Sequence, residues 1–226
     1  LLPLLAGRMA AAAAVPPPFT AVLHIGFDGQ PAVTASGAAV TVTGAEDLRY
    51  GEGRVGQAAD FTGSAALEYQ PLPALDLASG TLELWIRPTH ERTEMADHPY
   101  LRFTTADGSA GIEVRFYHVE CSAQVTVWAK GRRYSRYGWG WQKDAWQHLA
   151  VTWQDGSSDS AGLGLYLGGT ESGYPASYAA IPAPSRLRVG AGTPPDGTSS
   201  LAWIDEVTVY DRALTATQVH ALCQAG

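Results

Sequence analysis

The feature that most constrains the fold is a succession of short segments with strand composition, which runs along almost the whole 226-residue chain. Most of these segments alternate apolar and polar residues, and turn residues (Gly, Pro, Asp and Ser) separate them. The eight clearest segments are residues 20–27, 81–88, 112–118, 124–130, 146–153, 163–168, 186–190 and 203–210. Many short strands without interleaved helices favour an all-β sandwich or barrel over an α/β fold.

One helix is predicted, at the end of the chain. In the segment LTATQVHAL, Thr215 has the position of an N-cap and Gln218 follows three residues later, which is the pattern of a capping box. No internal repeat, long charged run or linker divides the body of the chain. One domain over residues 19–226 is therefore the simplest organisation.

The first 18 residues, LLPLLAGRMAAAAAVPPP, form an apolar, Pro-rich N-terminal tail in front of this domain. The tail resembles the end of a secretory signal. Pro3 and Arg8 interrupt it too early for a membrane span, which needs about 20 apolar residues. It is either a signal remnant or an anchor that contacts a membrane or a partner chain. Both alternatives predict an extracytoplasmic location, periplasmic or extracellular.

Composition narrows the classes of function. The chain is 46% hydrophobic and 16% charged, which is typical of a globular domain rather than a disordered one. Its net charge of −7 is unsuited to a phosphate backbone, so we expect no nucleic-acid partner. The two cysteines, Cys121 and Cys223, form either one disulfide or two separate thiols.

Several segments, in their order along the chain, resemble the laminin-G-like, concanavalin-A-like jelly-roll family. The matching segments are LHIGFDGQ (23–30), GTLELWIRPT (80–89), WQHLAVTWQDG (146–156), LYLGG (165–169) and AWIDEVTVYDRALTATQVHAL (202–222). The resemblance covers roughly residues 20–223. It implies a two-sheet antiparallel β-sandwich with a short terminal helix. The family's functions include carbohydrate binding, protein adhesion and accessory roles in hydrolases, so the fold alone does not assign a function.

The resemblance also implies a structural calcium at the edge of the sandwich. Because the first and last strands of a jelly roll are neighbours, Asp28 and the pair Asp205 and Glu206 are the candidate ligands. The alternative is that Asp28 is a turn residue, and that Asp205 and Glu206 form hydrogen bonds or ion pairs with arginine.

No catalytic motif is recognisable in the chain, and we therefore expect it not to be an enzyme. The acids Asp205 and Glu206 are adjacent on a strand, so they are expected to point to opposite faces and not to act as a pair of glycosidase carboxylates. His148 has no Ser or Cys partner in a known motif and is expected to be a packed strand residue. Glycoside hydrolase or polysaccharide lyase activity stays a weaker alternative.

Residues 131–144, GRRYSRYGWGWQKD, match no strand of the family and are expected to form a loop or a long hairpin end. Arginine and aromatic side chains are enriched in interaction sites and can stack on each other. The neighbouring segments 112–118 and 124–130 place further polar and aromatic residues on one face of a sheet. The candidate binding residues are Arg132, Arg133, Tyr134, Arg136, Tyr137, Trp139, Trp141, Trp128, Tyr117 and Arg115.

Two functions follow from these observations. The first is a non-catalytic accessory subunit that docks to a protein partner or a membrane complex through residues 1–18 and the 131–144 loop. The alternative is a carbohydrate-binding, lectin-like module that holds a glycan against the aromatic face of the sheet.

Overall fold

The structure is a computed structural model. It describes residues 20–35, 41–46, 48–72, 75, 77–129, 132–138, 140–156, 162–173, 176–190 and 198–226, without the side chains of residues 32–35, 132–134 and 136. The tail of residues 1–18 lies outside the described residues.

The strands and helices follow the chain in a simple order. The strands are β1 (Ala21–Gly26), β2 (Ala32–Ala35), β3 (Thr41–Thr43), β4 (Arg49–Glu52), β5 (Gln57–Asp60), β6 (Ala66–Gln70), β7 (Ser79–Pro88), β8 (His98–Thr104), β9 (Gly111–Tyr117), β10 (Ser122–Ala129), β11 (Arg132–Gly138), β12 (Gln147–Gln154), β13 (Leu163–Leu167), β14 (Thr170–Glu171), β15 (Arg186–Gly190) and β16 (Ala202–Tyr210). A 3₁₀ turn, His118–Glu120, separates β9 from β10, and helix α1 spans Ala216–Ala225.

Within the described residues, the strands form two antiparallel sheets. The nine-stranded sheet has the order β14-β13-β12-β7-β16-β1-β2, with β5 beside β16 and β4 beside β5. The seven-stranded sheet has the order β11-β10-β9-β8-β15-β6-β3. This confirms the two-sheet antiparallel sandwich with a short C-terminal helix that the sequence predicted.

The core lies between the two sheets, and the alternation of side chains builds it. Leu82, Leu84 and Ile86 of β7 and Ile112 and Val114 of β9 have no exposed surface. Successive side chains of a strand point to opposite faces, so the residues between these apolar ones face outward. The period-two pattern of the sequence thus decides which side chains are available on the outer surface.

Of the two expectations for the segment 131–144, a loop or a long hairpin end, the structure has a hairpin strand in the first half. Residues 132–138 form β11, which pairs with β10 along its full length, from Ala129 opposite Arg132 to Ala123 opposite Gly138. Backbone hydrogen bonding to β10 decides the conformation here. Tyrosine also favours the pleated, half-buried surface of a sheet, even where glycines lie beside it. Strand β11 ends at Gly138, so for the first half of the segment the hairpin alternative is confirmed and the loop alternative is not.

Helix α1 begins as the sequence predicted. The Thr215 hydroxyl accepts a hydrogen bond from the Gln218 amide, and the Gln218 side chain accepts one from the Thr215 amide. The helix packs Val219 against the outer face of the nine-stranded sheet, where Ala150 and Tyr166 lie in the same apolar cluster. The capping box therefore fixes the start of the element that covers this face.

Two further properties of the described chain bear on the expectations. No helix in the described part is long and apolar enough to cross a membrane. Cys121 and Cys223 are both free thiols, so of the two alternatives the structure has the one without a disulfide.

Candidate functional site

The outer face of the seven-stranded sheet carries aligned rows of polar and aromatic side chains. The strand register places outward residues of neighbouring strands opposite each other. The central row consists of Glu68, Arg188, Arg102, Glu113, Thr126 and Ser135. The next row consists of Arg186, Thr104, Gly111 and Trp128. These rows unite residues from strands that are far apart in the sequence.

Trp128 lies over Gly111, its direct partner on β9. A Cβ atom at Gly111 would come within 2.5 Å of the indole Cζ2 atom and 2.4 Å of the Phe103 carbonyl oxygen, so glycine is what leaves room for the ring. The indole Nε1 donates a hydrogen bond of 3.2 Å to the Gly108 carbonyl oxygen, which fixes the rotation of the ring. The side chain is half-buried. The result is an indole held across the sheet surface.

Beside the indole, the charged groups are paired. Arg102 donates hydrogen bonds through Nε (2.6 Å) and Nη2 to Oε2 of Glu113, and its guanidinium lies 5.8 Å from the centroid of the Trp128 ring. Glu113 is only 6% exposed, and a buried carboxylate is stable when it is paired in this way. The pair holds both side chains in one geometry next to Trp128.

A second arginine extends the network along the same face. Arg115 donates from Nε to Oε1 of Gln124 at 2.6 Å, and its Nη1 lies 2.9 Å from Oδ2 of Asp97. The Asp97 Oδ1 lies 2.7 Å from Nδ1 of His118. The Arg115 guanidinium also lies 4.9 Å from the ring centroid of Tyr117. Planar groups with defined hydrogen-bonding directions therefore cover this part of the sheet.

These side chains line three adjoining cavities, of about 250, 270 and 390 Å³, which share Arg102 and together form what we call the outer groove. Trp128 lines the first two, and Glu113 and Arg115 line the first and third. The groove thus combines one aromatic surface with polar groups that can donate and accept hydrogen bonds.

The structure brings together part of the residue set that the sequence predicted. Trp128 and Arg115 line the outer groove, and Tyr117 lies at its side, where its ring centroid is 5.7 Å from that of Tyr137. Trp139 and the side chains of Arg132, Arg133, Tyr134 and Arg136 lie outside the described residues.

Trp141 does not lie on the surface, and its assignment to a binding surface is corrected here. It is 5% exposed and belongs to the core. Its ring stacks on Tyr100 (5.6 Å) and on His90 (5.4 Å). Burial of the large indole surface explains this position, because it contributes more free energy to folding than a contact on the exposed surface would.

Sequence reasoning missed several groove residues. Arg186 and Arg188 belong to a strand that was predicted and Gly111 directly precedes one, whereas Arg102 lies in β8, which was not predicted. The positions of all four beside Trp128 depend on the order of strands in the sheet. The alternation in RLRVG was a usable signal, because it places Arg186 and Arg188 on the face opposite the core residues Leu187 and Val189.

The candidate calcium ligands meet at the turn between β4 and β5. Oδ2 of Asp205 accepts hydrogen bonds from the amides of Arg54 and Val55, Oδ1 accepts one from Glu206, and Asp28 accepts one from Gln57. The amide N–H groups that point at the Asp205 carboxylate stabilise its negative charge, as a cation would. No group of three His, Cys, Asp or Glu side chains with a metal-site arrangement occurs among the described residues. This arrangement is the hydrogen-bonded turn that the sequence offered as the alternative to a calcium site.

Asp205 and Glu206 also correct an expectation. The register shifts between Asp205 and Thr208, so two residues oppose one on β7, and Glu206 has a φ of +49°. The extra residue of such a β-bulge does not follow the alternation. Glu206 therefore lies on the outer face with Asp205, and its carboxylate is 3.6 Å from Nε2 of His24. Burial, Asp205 and Asp28 raise the pKa of Glu206 to about 7.

His148 is a buried strand residue. It is 1% exposed, and its Nε2 lies 3.0 Å from Oε2 of Glu83, whose other oxygen accepts a hydrogen bond of 2.5 Å from Tyr210. Burial alone would lower the pKa of His148, but the nearby Cys223 thiol and the Glu83 carboxylate outweigh it and raise the pKa. The three side chains join β7, β12 and β16 on the face next to α1.

The fold and the groove can now be compared with known proteins. A family model of the concanavalin A-like lectin/glucanases superfamily matches residues 61–220. The chain belongs to this family, as its strand motifs indicated. A search of curated protein sequences gives no match.

Solved structures share the fold along most of the chain. Domain 4 of AbnA, a GH43 extracellular arabinanase from Geobacillus stearothermophilus, in complex with arabinotriose, is 20% identical, with a TM-score of 0.67 over 91% of this chain and 99% of that domain. The binding domain of botulinum neurotoxin serotype G is 14% identical, with a TM-score of 0.70 over 91% of this chain and 51% of that one.

The ligand binding domain of botulinum neurotoxin serotype D in complex with N-acetylneuraminic acid is 9% identical, with a TM-score of 0.70 over 90% of this chain. The chain spans about half the length of these two toxin domains. At these identities the likeness shows the jelly-roll fold and nothing finer.

Proposed function

We propose that this chain is a non-catalytic carbohydrate-binding domain that holds an oligosaccharide in the outer groove. The observation that carries the proposal is the position of Trp128, which Gly111 allows to lie across the sheet and which a hydrogen bond to Gly108 fixes. The C–H faces of sugar rings pack on such aromatic surfaces, and a fixed ring loses little conformational entropy on binding.

The polar groups around the indole suit the hydroxyls of a sugar. Arg102, Arg115 and Gln124 are already held by their partners in the sheet, so they need little reorganisation to bind a ligand. A groove along several strands, rather than a closed pocket, suits a chain of sugar units. The arabinotriose complex of domain 4 of AbnA supports the proposal by precedent in fold.

The ion-pair partners of the groove carboxylates support binding rather than hydrolysis. Glu113 is engaged by Arg102 and lies 3.7 Å from Nε of Arg115, while Asp97 is engaged by Arg115 and His118. A glycosidase needs two carboxyl groups that are free to face the bond to be cleaved, and the oxygens of Glu113 and Asp97 are engaged by arginine and histidine side chains instead.

The test is an affinity gel with a panel of soluble polysaccharides, run with the wild type, Trp128→Ala and Trp203→Ala. Trp203 is a matched control because it is half-buried on the outer face of the other sheet, where it contacts Arg87. We expect at least one polysaccharide to retard the wild type and Trp203→Ala. Loss of one stacked ring should weaken binding by about tenfold or more in Trp128→Ala.

Two results would contradict the proposal. One is that no polysaccharide in the panel retards the wild type. The other is that Trp203→Ala weakens retardation as much as Trp128→Ala does, since this would mean that the effect does not come from the outer groove.

A second candidate function is docking to a protein or membrane partner, as an accessory subunit outside the cytoplasm. One observation favours it: β11 is an edge strand of the seven-stranded sheet, and edge strands can pair with another chain. Deletion of residues 1–18 would then release the chain from the membrane fraction of its cells. An unchanged distribution after this deletion would count against docking through the tail.

A further inference from the structure

We propose that the ligand of the outer groove is an acidic glycan, whose carboxylate or sulfate group binds Arg186 and Arg188 on β15. This inference rests on the proposed function, because it assigns the chemical class of ligand to the same groove. The cavity of about 270 Å³ at this end is lined by both arginines and by Trp128, so a sugar on the indole has its neighbouring groups within reach of β15.

The first argument is the orientation of the two side chains. Leu187 and Val189 of β15 have no exposed surface and point into the core. Arg186 and Arg188 alternate with them and therefore both project from the outer face. Two residues apart on a strand, their Cα atoms are separated by about 7 Å. Two guanidinium groups thus stand along one edge of the cavity.

The second argument is that these arginines lack the partners that the others have. Arg102 and Arg115 are paired with Glu113 and Asp97. Within the described part of the chain, neither Arg186 nor Arg188 forms an ion pair. The Arg186 Nη2 donates only to the Ala106 carbonyl oxygen, at 3.0 Å.

Arg188 has a further feature, a side-chain nitrogen without a partner. Its Nε is buried and has no hydrogen-bond partner among the described residues. A buried donor that lacks an acceptor costs free energy, and it costs more when the group is charged. Arg188 as a whole is half-buried and lines the cavity, and guanidinium groups bind carboxylate and sulfate oxygens with two parallel hydrogen bonds, so an anionic ligand in the cavity would supply the counter-charge that Arg188 does not find among the described residues.

The carboxylates in the same cavity do not neutralise this pair of arginines. Asp107 is held in its own turn, where one oxygen accepts hydrogen bonds from Thr105 and from Ser109. These bonds lower the pKa of Asp107 to about 2. Glu68 is the direct neighbour of Arg188 on β6, but the two form no ion pair. Glu68 and the ionised Asp107 are therefore both expected to repel an acidic ligand and to moderate its affinity.

The net charge of the whole chain limits where an acidic glycan could bind. At a net charge of −7, the chain as a whole repels a polyanion. Preferential binding of an acidic glycan would therefore have to come from a local cationic site, and among the described groove residues Arg186 and Arg188 are the ones that form no ion pair.

The experiment compares charged and uncharged versions of the same polymers. Dissociation constants are measured by isothermal titration calorimetry at about 0.15 M salt for polygalacturonate and its fully methyl-esterified form, and for dextran sulfate and dextran. The proteins are the wild type, Arg188→Gln, Glu68→Gln and Trp128→Ala. The two polymer pairs distinguish a carboxylate from a sulfate ligand.

We expect one of the charged polymers to bind at least about tenfold more tightly than its uncharged partner. Arg188→Gln should remove most of this difference, so that the charged polymer binds about as weakly as its uncharged partner. Glu68→Gln should increase the affinity for the charged polymer. If Arg188 only supported the fold, Arg188→Gln would weaken the charged and the uncharged polymer by the same factor and leave the difference between them in place.

The remaining outcomes separate this inference from the proposed function. Equal affinities for the charged and uncharged polymers, lost in Trp128→Ala, would overturn the acidic ligand and leave carbohydrate binding intact. A preference for the charged polymer that persists in Arg188→Gln would also overturn the inference. If neither pair binds while the polysaccharide panel retards the wild type, the acidic ligand is overturned. If the panel fails as well, both proposals are overturned.

Discussion

Replacement of Glu206 by glutamine should stabilise the domain, and by more at alkaline pH than at acidic pH. The β-bulge holds Glu206 on the outer face of the nine-stranded sheet, where its side chain is 27% exposed and faces the charges of Asp205 and Asp28. Burial and these like charges raise its pKa from 4.5 to about 7. The neutral amide of glutamine keeps the shape of the side chain and removes the charge.

The sign follows from proton binding. Between pH 4.5 and 7 the folded chain binds the Glu206 proton and the unfolded chain releases it, so this group makes the folded state less stable as pH rises. At pH 5 the variant should be more stable than the wild type by about 1 kcal/mol, and at pH 8 by about 3 kcal/mol. His24 does not offset this difference, because burial lowers its pKa and leaves it neutral at pH 8.

The assay is urea unfolding of the wild type and Glu206→Gln at pH 5 and pH 8, followed by tryptophan fluorescence. Glu52→Gln, at an exposed position on β4, serves as the control and should change stability equally little at both pH values. A difference in free energy of unfolding between Glu206→Gln and wild type that is the same at both pH values would refute the reasoning.

Three further predictions concern the frame around the groove. Thr215→Ala removes the N-cap of α1 and should cost about 1 kcal/mol in urea unfolding, with glycan retardation unchanged; an unchanged stability would contradict the capping box. The wild type should be more stable than His148→Gln below pH 6.5, and this margin should shrink as pH rises through the raised pKa of His148; a margin that grows with pH would contradict its pairing with Glu83. Millimolar calcium should leave the thermal midpoint unchanged, because amide N–H groups already surround Asp205; a clear rise would show that a cation binds there.

The sequence was sufficient for the framework of the fold. The alternation in β7 and β9 and the Thr215–Gln218 pattern are local signals, and local signals predict local structure. The structure contains a strand in each of the eight predicted segments and begins the helix at the predicted residue. The order of the family motifs then led to the correct two-sheet architecture.

The errors arose where tertiary contacts override local signals. The glycines of residues 131–144 left both a loop and a hairpin end open, and pairing with β10 makes residues 132–138 a hairpin strand. Trp141 read as a surface aromatic, yet it stacks on Tyr100 in the core. Glu206 violates the alternation because a bulge inserts it, and a glutamate at a positive φ has no recognisable sequence signal.

The outer groove could be predicted only in part for a related reason. Trp128 and Arg115 lie in the two segments of one hairpin, so alternation was enough to place them together. Arg102 and Arg188 join them only because β8 and β15 are neighbours in the sheet, and β15 comes more than 80 residues later in the chain. Strand order of this kind is a property of the whole fold rather than of any segment.

The most direct test of the central claim is the behaviour of the Trp128 indole N–H during titration with a glycan that the chain binds. The chain has seven tryptophans, and the Trp128 signal in a ¹H–¹⁵N spectrum can be assigned by its loss in Trp128→Phe. If the sugar lies on this ring, the Trp128 Nε1–H signal shifts with the affinity of the complex while that of Trp203 stays in place. A stationary Trp128 signal at saturation, with shifts at other tryptophans, would place the ligand outside the outer groove and contradict the account.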